Sequence, residues 1–78
     1  MKTINIHVFP NPMEEFVFIE YASSNQSLPP INIYNIQGQK VITAMVQPNQ
    51  SNKINVAALP AGIYILKADY FTQKLIKK

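Results

Sequence analysis

Thr3-Ile4-Asn5-Ile6-His7-Val8-Phe9-Pro10-Asn11-Pro12 is the stretch that decides the fold class. Ile4, Ile6 and Val8 alternate with Thr3, Asn5 and His7, and a period of two belongs to a strand with one face on a core. The strand must then stop. Pro10 and Pro12 remove two ladder donors on either side of Asn11, so no central strand runs through them.

The same grammar repeats along the chain. Extended segments are predicted at about 3–9, 15–21, 31–36, 39–46, 52–57, 62–68 and 70–77, each bounded by turn residues. Ile31 and Ile33 alternate with Asn32; Ile54 and Val56 alternate with Asn55. Glu15-Phe16-Val17-Phe18-Ile19-Glu20-Tyr21 and Ile63-Tyr64-Ile65-Leu66 are apolar on both faces and belong in the middle of sheets. In the first of these, Val17, Ile19 and Tyr21 share one face and Phe16 and Phe18 the other; periodicity leaves open which is core. Expected core positions are Ile4, Ile6, Val8, Ile31, Ile33, Ile54, Val56, Tyr64 and Leu66.

The breaks are as informative. Ser23 to Pro30 and Gln47 to Asn52 are polar surface loops, and Gln37-Gly38 is a tight hairpin in which Gly38 supplies a positive φ. Ala57 to Gly62 has room for one helical turn at most, and no segment keeps a helical period over three turns. The expectation is an all-β chain: a seven-stranded antiparallel β-sandwich, immunoglobulin-like in the broad sense. It is read as one domain over residues 1–78, its core from about residue 4 and residues 1–3 as linker or an added start.

Composition narrows the function. Seventy-eight residues allow one modest core, and with no cysteine neither disulfides nor a thiolate metal site can staple it. A cysteine-free sandwich, if extracellular, fits a bacterial source. The formal charge of +3 comes from seven lysines, no arginine and four carboxylates. Without arginine's bidentate contacts, nucleic acid is a poor partner. Three lysines, Lys74, Lys77 and Lys78, crowd the last five residues, so the excess is local. No apolar run is long enough to cross a bilayer and no signal peptide is visible, so an export signal would lie on a longer precursor.

Catalytic chemistry finds little to work with. His7 is the single histidine and sits on the polar face of its strand, where it needs no partner. Glu14 and Glu15 are neighbours and would point apart in a strand; Glu20 and Asp69 are isolated. Neither a nucleophile–base set nor a dedicated metal site assembles, although loop carbonyls leave calcium open. With only Gly38 and Gly62, no phosphate-binding loop is possible. Asn25-Gln26-Ser27 and Asn49-Gln50-Ser51 match a glycosylation pattern too short to carry weight. The tyrosines and phenylalanines are explained by core packing, with Phe9, Phe16, Phe18 and Phe71 left as material for an exposed patch.

Four motifs in fixed order carry a resemblance. Val8-Phe9-Pro10-Asn11-Pro12 closes the first strand, and Ile31-Asn32-Ile33-Tyr34-Asn35-Ile36-Gln37-Gly38-Gln39-Lys40-Val41 makes a central hairpin. Leu59-Pro60-Ala61-Gly62-Ile63-Tyr64 opens the sixth strand, and Lys74-Leu75-Ile76-Lys77-Lys78 ends the chain. Together they resemble the C-terminal sorting domain of type IX secretion cargo, type A, over almost the whole chain. Met13-Glu14-Glu15 departs from the family, which tends to carry a small residue and an Asp there.

The resemblance implies a non-enzymatic address label of the Bacteroidetes group, without cofactor or metal. Such a domain follows an N-terminal cargo and travels through the periplasm. It meets the outer-membrane translocon, shuttle and sortase proteins and is removed at the cell surface without inserting in the membrane. Pro10, Asn11, Pro12, Gly38, Leu59, Pro60, Gly62 and Tyr64 are read as structural motif residues. Lys74, Leu75, Ile76, Lys77 and Lys78 are read as partner contacts, because the three lysines are expected to place no apolar area in the core. The competing reading is a non-catalytic adhesive or carbohydrate-binding β-sandwich module.

Overall fold

The computed structural model describes residues 5–22, 30–68 and 71–78. They form seven strands and no helix: β1 (Asn5–Phe9), β2 (Phe16–Ala22), β3 (Ile31–Asn35), β4 (Lys40–Ala44), β5 (Ser51–Asn55), β6 (Gly62–Ala68) and β7 (Phe71–Lys77). All ladders between strands are antiparallel, in a three-stranded sheet ordered β1-β2-β5 and a four-stranded sheet ordered β4-β3-β6-β7. The expected immunoglobulin-like sandwich is the fold. Of the expected segments, the polar loop from Ser23 and the position of Ile4 lie outside the described residues.

The two doubly apolar segments occupy the middle positions, β2 between β1 and β5, and β6 between β3 and β7. Alternation then sorts their faces. Val17, Ile19 and Tyr21 of β2 and Tyr64, Leu66 and Ala68 of β6 are buried, and they meet Ile31, Ile33, Ile54, Val56 and Leu75 between the sheets. The face that periodicity left open is thus settled: Phe16 and Phe18 point outward and are half-buried. Ile6 and Val8 are partly buried against this core, as edge-strand residues are.

Three of the described turns are held by a side chain that replaces missing ladder bonds. Between β3 and β4, Gly38 takes φ +84°, and the Asn35 carboxamide oxygen accepts from the Gln37 and Gln39 amides at 3.0 Å each. This Asx geometry holds the hairpin together with the Asn35–Gln39 backbone bond. Asn52 does the same for the loop before β5: it accepts from the Gln47 amide and donates to the carbonyls of Ile19, Gln47 and Gln50. Before β6, the Tyr64 hydroxyl donates to the Pro60 carbonyl at 2.6 Å, the corner found in immunoglobulin-like sandwiches. Gly62 sits between them at φ +152°, as a Leu-Pro-x-Gly-x-Tyr element requires, since an L side chain is strained there.

Candidate functional site: the terminal strand and its clamp

The Pro-Asn-Pro segment does more than stop β1. Leaving the edge of the three-stranded sheet, it crosses to the edge of the four-stranded sheet and pairs with β7. The Asn11 carboxamide donates to the Lys74 carbonyl at 3.1 Å and accepts from the Ile76 amide at 2.9 Å. A primary amide holds its NH2 donors and its carbonyl acceptor in one plane, as a peptide unit holds its N–H and C=O, so this side chain stands in for a neighbouring strand. Two residues on, the main chain takes over: the Met13 amide donates to the Ile76 carbonyl at 2.7 Å, and the Lys78 amide donates to the Met13 carbonyl at 2.9 Å. Met13 and Lys77 form an isolated parallel bridge. The peptide bonds before Pro10 and Pro12 are both cis.

Why these residues and no others follows from donors and volume. Pro10 and Pro12 have no N–H, so neither competes with Asn11 for the β7 edge. Met13 then turns inward and is fully buried, anchoring the segment in the core. Its flexible thioether packs into the core cluster shared by the two sheets. Both roles went unseen in the sequence. The signal was a lone amide between two residues that cannot donate, followed by one large apolar residue before two glutamates.

The clamp divides the terminal motif into two sets. Leu75 and Lys77 face inward; Lys74, Ile76 and Lys78 are exposed. Leu75 is fully buried beside Tyr64, its register partner on β6. Lys77 is only 8% exposed and its ammonium donates to the Lys78 main-chain oxygen at 3.1 Å. This corrects the expectation that the terminal lysines place no apolar area in the core: Lys77 buries its stem and brings its amine to a carbonyl. Lys78 makes a surface ion pair with Glu14 at 3.6 Å, both side chains well exposed.

The outward set is therefore Lys74, Ile76 and Lys78, the same three residues whose main chain Asn11 and Met13 engage. Both facts have one cause. In an extended strand, alternate residues turn main-chain groups to one edge and side chains to one face. The segment that satisfies the edge also fixes how these side chains are presented.

Elsewhere the surface offers little chemistry. His7 is exposed opposite Glu20, with Ser51 on the far side of Glu20, around a shallow depression lined also by Asn49 and Gln50. No cluster of three metal-binding side chains occurs among the described residues.

The family model for the secretion system C-terminal sorting domain matches residues 7–78, from within β1 through the terminal lysines. The chain belongs to that family, the type IX secretion C-terminal sorting domains. Neither a curated protein nor a solved structure matches it. The match makes the sorting domain a type IX sorting signal and implies export toward the cell surface or extracellular space, with the type IX machinery as partner. It also spans both halves of the clamp, so the stretch that defines the sorting domain contains Asn11 and β7 together.

Proposed function

We propose that this domain is the type A address of a longer cargo protein. In this reading the outer-membrane type IX translocon takes it up from the periplasm as a folded sandwich. A surface sortase cuts it away once the cargo has crossed. The domain does no catalysis; it is ligand first and substrate afterwards. Lys74, Ile76 and Lys78 make the contacts, and Leu75 and Lys77 hold them in place from beneath.

One observation carries the reading: Asn11 bonds to both Lys74 and Ile76, so the first motif is the structural support of the last. A loose basic tail would need no such support, whereas a folded recognition element does. Of the other motif residues, two lie on the strand that flanks β7 on its other side. Gly62 and Tyr64 shape the start of β6, on which β7 is paired along its length.

The test is a fusion of this chain to an inert, periplasm-directed reporter in a host with a type IX system. The reporter is expected at the cell surface without the domain, and in the periplasm of a translocon-deficient host. A reporter that stays in the periplasm of the competent host would refute the signal. A glycan-binding module would bind sugars but would not move the reporter.

A further inference from the structure

The sandwich has two outer faces, and their chemistry differs. The strands of the four-stranded sheet contain Lys40, Lys67, Lys74 and Lys77 and no Asp or Glu. Those of the three-stranded sheet contain one lysine, Lys53, and one carboxylate, Glu20. Lys77 faces inward, so the outward charges are Lys40, Lys67 and Lys74 on the strands of the four-stranded sheet, against Lys53 and Glu20 on those of the other.

The four-stranded layer also exposes most of the large aliphatic surface among the described residues. Ile63 and Ile76 are register partners, 45% and 41% exposed, side by side on the outer face. The adjoining row is Tyr34, Ile65 and Lys74, followed by Asn32, Lys67 and Thr72. Val41, the extra residue in β4 where the β3–β4 register shifts, is 36% exposed beside this row, and Ile36 in the hairpin is 76% exposed. Four strands of this length present a face on the order of 300–400 Å².

The other face satisfies itself. Phe9 and Phe18 stack with ring centres 5.7 Å apart, and the Lys53 ammonium covers the Phe16 ring at 4.1 Å. Its rings are engaged with each other or with a cation. On the four-stranded sheet the Lys67 ammonium lies 5.5 Å from the centre of the Tyr34 ring, while Ile63 and Ile76 stay exposed beside each other.

We propose that the outer face of the four-stranded sheet, centred on Ile63 and Ile76 and flanked by Lys67 and Lys74, docks a folded protein partner whose apolar surface is rimmed by carboxylates. This rests on the sorting-signal reading and deepens it, extending the contact from the terminal residues to a whole sheet face. Complementarity argues for the partner's chemistry. Aliphatic side chains at the centre supply burial, and lysines with no acid among their sheet neighbours select carboxylates at the rim. The face is continuous with Lys74 and Ile76, which the Asn11 clamp holds in place.

The experiment compares four versions of the full chain fused to the reporter: wild type, Ile63→Thr/Ile76→Thr, Lys67→Glu/Lys74→Glu, and His7→Gln/Ser51→Thr on the opposite face. Threonine keeps β-branching and all substituted positions are exposed, so melting temperatures should match; if one face pair melts early, the other is read. Both face pairs are expected to lower surface reporter at least about tenfold, with accumulation in the periplasm, while the opposite-face pair exports normally. Normal export by the face variants, or equal failure of the opposite-face pair, overturns the proposal. Failure of the wild-type fusion overturns it together with the sorting-signal reading. Co-sedimentation of the purified wild-type chain with phosphatidylcholine vesicles containing about 30% phosphatidylglycerol, abolished in Lys67→Glu/Lys74→Glu, would assign the face to anionic lipid instead and also overturn it.

Discussion

At the residue scale, Asn11 shows how one side chain can do the work of a strand. Its carboxamide makes two hydrogen bonds to β7, and at about 0.5–1.5 kcal/mol net for each, Asn11→Ala should lose about 1–3 kcal/mol in urea denaturation. Asn11→Asp keeps the acceptor but sets a charged oxygen against the Lys74 carbonyl, so it should be no milder than alanine. Gly62→Val should cost more than about 1 kcal/mol by the same measurement, because φ +152° strains a β-branched residue even though open space surrounds its Cβ. Wild-type-like melts for both would dismiss these local arguments. What was legible at this scale was backbone chemistry: proline that cannot donate and glycine that can turn. The long-range partner of Asn11, 63 residues away at Lys74, leaves no trace in local sequence.

At the element scale, β7 is a strand with two jobs, and its alternation separates them. Leu75 is fully buried, so Leu75→Ala should cost about 2–5 kcal/mol and abolish export by unfolding. Lys74 and Lys78 are exposed, and exposed charges contribute little stability. Lys74→Ala/Lys78→Ala should therefore melt within about 2 °C of wild type while exporting a fused reporter poorly. Export at wild-type efficiency would remove the lysines from recognition. The buried Lys77 is unsuited to this test, because its removal changes packing as well as charge. Sequence pattern placed β7 almost to the residue. It missed the burial of Lys77 because a terminal lysine reads as solvated until the strand's register and the Met13 bridge are known.

At the scale of the whole molecule, the fold was readable because each strand repeats one rule. Alternation gave the strands, doubly apolar segments gave the central positions of both sheets, and Gly38, Gly62 and the prolines gave the turns. Sheet partnership was not readable, since periodicity says which face is buried and nothing about which strand lies alongside. The crossing of Pro10 to Met13 from one sheet edge to the other belongs to that unreadable part, and it turns two distant motifs into one object. The sorting signal is thus presented as part of a fold and not as a loose tail. Amide hydrogen exchange tests this most directly, because the Ile76 amide is held by the Asn11 side chain. In the wild-type chain Ile76 is expected to exchange as slowly as the amides of β6, and in Asn11→Ala it should exchange at least about tenfold faster while β6 keeps its protection. An Ile76 amide that exchanges freely in the wild-type chain while β6 is protected would show a detached tail and contradict the account.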